Sequence, residues 1–128
     1  MNNYGISKEV AMGFNAAVER VNEVLKRHGF GVLTKIDVAE QMKEKLEKEM
    51  GRYIILGACN PPSAYEAIQN DVEIGLLLPC NVIVYEKEGG VFVSAIKPTV
   101  AMGFVNNEQI QDIAKKIEKM LNEAMEEL

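Results

Sequence analysis

Two apolar runs, Val82 to Glu86 and Val91 to Ile96, flank the triplet Glu88-Gly89-Gly90. Strand-forming runs on either side of a glycine turn make a β-hairpin, so this pair must be antiparallel. Placing the two-residue turn at Glu88-Gly89 sets Val84 opposite Val93 and Tyr85 opposite Phe92. One face then carries Val82, Val84, Val93 and Ala95, and the other carries Ile83, Tyr85, Phe92 and Ser94. A hairpin with one wet face alternates apolar and polar residues cleanly. Here both faces are largely apolar, so the second face is expected to meet another element, a ligand or a partner subunit.

The hairpin closes a longer stretch, Leu56 to Pro98. Cys59-Asn60-Pro61 and Pro79-Cys80-Asn81 bracket a short helix and an apolar loop within it. Tyr53 to Cys59 is a nearly continuous apolar run and reads as a central strand covered on both faces. Asn60 is a good helix N-cap and Pro61 a good first residue, so a helix is expected to run from there to about Asn70. Asp71 to Pro79 reads as a loop whose Ile74, Leu76, Leu77 and Leu78 need cover.

Towards the N-terminus, Tyr4, Ile6, Val10 and Met12 recur at a strand-like period of two, interrupted by Lys8. Ser7-Lys8-Glu9 is also compatible with a helix start. From Phe14 the period becomes helical through Ala17, Val18, Val21 and Leu25, with Lys26, Arg27 and His28 in the last turn and Gly29 as the C-cap. Val32, Thr34 and Ile36 alternate as a strand. Asp37 with Glu40 resembles a capping box for a helix lined by Val38, Met42, Leu46 and Met50 and stopped by Gly51. After Pro98, Thr99 to Val105 reads as an apolar linker. Asn106 with Gln109 then opens a last helix carrying Ile110, Ile113, Ala114, Ile117, Leu121, Ala124 and Leu128. The order β-α-β-α-β-α-β-β-α predicts an α+β domain over residues 1–128. It is expected to have a single mixed or antiparallel sheet with helices mainly on one face.

The 128 residues suit one domain, and 48% hydrophobic residues are enough for a core without disulfides or metal. A net charge of −5, with the bases scattered among acids, opposes nucleic-acid binding. No apolar run reaches the roughly 18 residues of a membrane span, and no leader pattern opens the chain. The expected location is the cytoplasm, with two reduced thiols.

Several segments together resemble the bacterial and archaeal family known as domain of unknown function 302. They are Gly31 to Asp37, Leu56 to Pro61, Ala64-Tyr65, and Glu73 to Val82. The resemblance implies a compact α+β domain, often a homodimer, and no particular reaction. The family's signature positions fall on Cys59, Asn60, Pro61, Tyr65, Pro79, Cys80 and Asn81, none with a role to carry over.

Cys59, Asn60, Tyr65, Cys80 and Asn81 are the candidates for a ligand or thiol site. Each cysteine sits beside Asn and Pro at a strand end, where sites are often built. The thiols would make a redox pair or a soft half-site for a metal. As plain structure they are small buried hydrophobes. Asn60 and Asn81 cap and bond local backbone or read a ligand. Tyr65 supplies a hydroxyl or packs. His28 is explained by the helix dipole. No phosphate loop, nucleophile elbow or zinc helix motif occurs, so no metal site and no cofactor is named. The expected function is a homodimeric module for a small molecule or protein, without catalysis. The alternative is a thiol enzyme, or a redox or metal sensor, using Cys59 or Cys80.

Overall fold

The computed structural model describes residues 2–128. Five strands form one sheet in the order β1-β5-β4-β3-β2, with every neighbouring pair antiparallel. They are β1 (Gly5–Val10), β2 (Gly31–Asp37), β3 (Tyr53–Cys59), β4 (Cys80–Lys87) and β5 (Gly90–Ile96). The helices are α1 (Phe14–Arg27), α2 (Val38–Leu46), α3 (Pro61–Asn70), α4 (Pro98–Ala101) and α5 (Glu108–Glu126). A 3-10 helix spans Val72–Leu77. The expected α+β class therefore holds, and the sheet is wholly antiparallel.

The hairpin register is the expected one, with Val84 opposite Val93 and Tyr85 opposite Phe92. The face bearing Leu56, Val82, Val84, Val93 and Ala95 is fully buried. Against it lie the buried stripes of α1 (Phe14, Ala17, Val18, Val21, Val24, Leu25) and α5 (Ile110, Ile113, Ala114, Ile117, Leu121, Ala124, Met125). Each large aliphatic side chain so buried contributes about 1.5–3 kcal/mol, which is why the 3.6-residue and two-residue periods decide the layers. Lys8 belongs to this inner face, paired with Val93. Its ammonium escapes the core at the sheet edge, donating to the Leu128 carbonyl at 2.9 Å and the Met125 carbonyl at 3.4 Å.

The opposite sheet face is left open by α1 and α5. Tyr53, Ile55, Ile83, Tyr85 and Phe92 are half-buried there and Ile36 is exposed. Tyr53, Tyr85 and Phe92 stack in a row, with centroids 5.9 and 5.4 Å apart. On β3 the outer residues Tyr53 and Ile55 are only half-buried, and β4 is the central strand.

Four local expectations change. A bulge at Leu33 shifts the β2 register, so Val32 pairs with Ala58 and Thr34 with Gly57. Val32 thus shares the inner face while Thr34 and Ile36 share the outer one. Helix α2 stops at Leu46, where Glu47 takes the left-handed conformation (φ 55°), not at Gly51. None of its residues is fully buried, and Met50 lies beyond it, exposed. Asp71 to Pro79 is mostly 3-10 helix, and of its apolar residues Ile74 is buried while Leu76 is exposed. Thr99 to Val105 begins in α4, and the cap of α5 is Asn107, whose side chain accepts from the Ile110 amide.

Candidate functional site

The bracketing motifs do converge. Ala58 pairs with Cys80 across β3 and β4, which brings Cys59 and Cys80 to the same end of the sheet. Chain reversal follows at once. Asn60 Oδ1 accepts from the Ser63 amide at 3.2 Å, capping α3, and Asn60 Nδ2 donates to the Gly29 carbonyl at 2.8 Å. Gly29 holds φ +85°, and a Cβ there would press on Asn60 Nδ2. Asn60 is therefore a joint between the α1–β2 turn and α3, with both ends of its amide committed to structure.

Cys59, Asn60 and Cys80 line an apolar cavity of about 20 Å³ closed by Phe30, Ala67, Met102 and Ile113. That volume suits a single water-sized occupant. Ser63 also lines it, buried, and its Oγ has no hydrogen-bond partner. Cys80 is buried, and burial with the neighbouring Cys59 pushes its thiol up to about 11. Burial also raises the partly exposed Cys59. Both thiols are thus biased toward the protonated form, opposite to an activated nucleophile.

The other two candidates point elsewhere. Tyr65 is 69% exposed on the outer side of α3, away from the cavity. Asn81 pairs with Gly57 on the uncovered side of the sheet and is exposed. There it borders two open grooves. One, about 270 Å³, runs from Leu76 to Asn81 and across to Ile96, Pro98 and Ala101. The other, about 250 Å³, lies over the sheet face between Tyr4, Tyr53, Asn81, Ile83 and Ser94. Ile96 is also common to both. Gly57 makes room for this arrangement: a Cβ there would collide with Thr34 Oγ1 and stand 2.8 Å from Pro79 Cγ. Cys80 lines the first of these grooves as well as the thiol cavity, so Cys59, Asn60, Cys80 and Asn81 gather at one end of the sheet while Tyr65 faces solvent. Ser63 and Ile96 carry no motif signal, and Gly57 lies inside the Leu56 to Pro61 motif; the role of all three here comes from packing.

Among the described residues no group of three or more His, Cys, Asp or Glu could hold a metal ion. Among the described residues no helix is long and apolar enough to cross a membrane either.

The sequence model of the family described as "Domain of unknown function DUF302" matches residues 6–128. The chain belongs to the DUF302 family. Its fold matches a solved structure described as uncharacterized conserved protein DUF302 from Bacillus stearothermophilus. That likeness has a TM-score of 0.90 and 34% identity, and covers 95% of each chain. No match is found among curated proteins.

Proposed function

We propose that this DUF302 protein is a cytoplasmic homodimeric module that binds a small, mainly apolar molecule and performs no catalysis of its own. The observation that carries this reading is the pair of grooves, about 270 and about 250 Å³, that meet at Asn81 and Ile96. Their combined size approaches that of ordinary ligand pockets, which are apolar with a few placed polar groups. Asn81 offers one such group, an amide able to donate and accept. The two protonated thiols weigh against thiol catalysis.

The pairing surface in this reading is the uncovered sheet face with its Tyr53–Tyr85–Phe92 row. Five strands about 4.8 Å apart and about six residues long present roughly 500 Å² in projection. That is the greater part of the about 800 Å² per partner that a standard interface buries.

A fragment library of small aromatic amides, followed by amide-resolved NMR, tests the groove. Shifts clustered at Asn81, Ile96 and Ala101 and lost in Asn81→Ala are expected. Shifts scattered over the surface would remove the groove as a site. For the dimer, sedimentation at micromolar concentration should give twice the 14.2 kDa chain mass. Tyr85→Asp should halve it, and a monomeric parent protein would end the dimer reading.

A further inference from the structure

A second apolar surface lies away from the sheet face. Along α3 and the 3-10 helix, Tyr65, Ile68 and Val72 recur at i, i+3 and i+7 and are 69%, 40% and 78% exposed. The opposite side of α3 buries Ser63 and Ala67, so this helix carries apolar residues both inward and outward. Leu76, at 82% exposure, extends the outward stripe, and Val100 and Phe104 (77%) supply its far side. These segments adjoin. Leu76 and Ala101 line one groove, α3 and α4 both pack on α5, and Asn107 Nδ2 lies 3.5 Å from the Asn70 carbonyl. Isolated exposed apolar residues are ordinary, but a grouped set with helical spacing marks an interaction surface.

The charges around it are mainly acidic, with Lys97 at the start of α4 and Lys115 on α5 as the flanking cations. No Lys, Arg or His occurs from Tyr53 to Glu86, nor from Pro98 to Ala114. Glu66, Asp71, Glu73, Glu108 and Asp112 are the charged residues these two segments place on α3, the 3-10 helix and the start of α5. An apolar stripe rimmed mainly by carboxylates selects a partner that is apolar and cationic, and disfavours anionic lipid. We infer that this corner docks a basic amphipathic segment of a partner protein, laid along α3 with its apolar side on Tyr65, Val72, Leu76 and Phe104 and its Lys or Arg residues over the rim. This is the helix-on-groove mode of recognition.

The chain contains no Trp, so a peptide's own Trp reports binding without background. The probe is a synthetic Leu/Lys amphipathic helix carrying one Trp, compared with the same peptide bearing Glu for Lys. The Lys peptide should show a blue-shifted emission on titration with protein and the Glu peptide should not. Binding should weaken at least about tenfold between about 0.05 and about 0.5 M salt. Leu76→Ser with Phe104→Ser, and separately Glu73→Lys with Asp112→Lys, should each weaken it about tenfold. Glu19→Lys with Glu23→Lys on α1 should leave it unchanged. All of these positions are exposed, and unchanged circular dichroism verifies folding. Equal binding of both peptides, or no effect of the α3-corner variants, would overturn the inference. So would Leu76→Ser with Phe104→Ser changing only sedimentation, which assigns the corner to a second copy of the chain. Protein pelleting with phosphatidylcholine vesicles would assign it to a lipid surface instead.

Discussion

At the scale of single residues, burial decides what the two thiols and Ser63 contribute. Cys80 has a thiol raised from 9.0 to about 11 in the folded protein. Between those values the unfolded chain sheds the proton and the folded chain keeps it, so stability is complete below pH 9 and falls as pH rises towards 11. The loss attributable to Cys80 is about 1 kcal/mol by pH 10 and about 2 kcal/mol by pH 11. Denaturant unfolding at pH 8 and pH 10 should show a steeper decline in the parent protein than in Cys80→Ala. Alkylation of the folded protein should modify Cys59 slowly and Cys80 only on unfolding. Ser63 presents a buried hydroxyl with no acceptor. Removing an unsatisfied buried donor relieves its desolvation cost, so Ser63→Ala should raise stability by about 1 kcal/mol. A fall in melting temperature would instead mean that the hydroxyl has a bound partner in the 20 Å³ cavity. Cysteine identity and Asn–Pro neighbours were legible in the sequence. Exposure was not, because whether a strand-end side chain is buried depends on which helices arrive from far along the chain.

At the scale of elements, caps and close approaches fix where each piece stops and what it touches. Asn60→Ala removes the Ser63 amide's acceptor and the bond to the Gly29 carbonyl. The expected cost is about 1–2 kcal/mol, measurable as a shift in denaturation midpoint at constant slope. Gly57→Ala forces a methyl group into Thr34 Oγ1 and Pro79 Cγ. Overpacking of this kind costs about 1–3 kcal/mol, and hydrogen exchange should quicken first in β2 and in the segment leading to Pro79. The caps at Asp37 and Asn60 were readable because both use a short polar side chain followed three residues later by the amide it accepts. The α5 cap was readable only to within one residue, since Asn106 and Asn107 are chemically alike and only Asn107 reaches the Ile110 amide. The end of α2 was not readable. Its stop is a left-handed Glu47, a residue with no preference for that conformation, on a helix that buries no residue fully.

At the scale of the whole molecule, the C-terminal end of α5 is tied back to α1 and β1. Arg27 Nη2 and His28 Nε2 both lie 2.8 Å from the Glu127 carboxylate, and Arg20 donates to the Glu127 carbonyl. The hydrogen bonds from His28 and then Arg27 hold the Glu127 carboxyl below its usual range. A carboxylate with a lowered folded value stabilises above its ordinary value, and that stability is lost as pH falls through the folded one. Glu127→Gln should therefore lower the melting temperature at pH 7 and make no difference well below pH 4, a comparison that thermal scans at the two pH values settle.

The sequence by itself determined the five strands and the four longer helices, the hairpin and its register, the α3 cap, the α5 stripe and the family, because each is written in local spacing or in contiguous motifs. Only the tertiary structure decided the strand order β1-β5-β4-β3-β2, the half-buried outer face and the β2 bulge that moves Val32 inward. It alone made Cys80 a wall shared by the thiol cavity and the Asn81 groove and turned Tyr65 to solvent. Those features depend on which distant elements share a layer. That is settled by total buried apolar area rather than by any run of neighbouring residues.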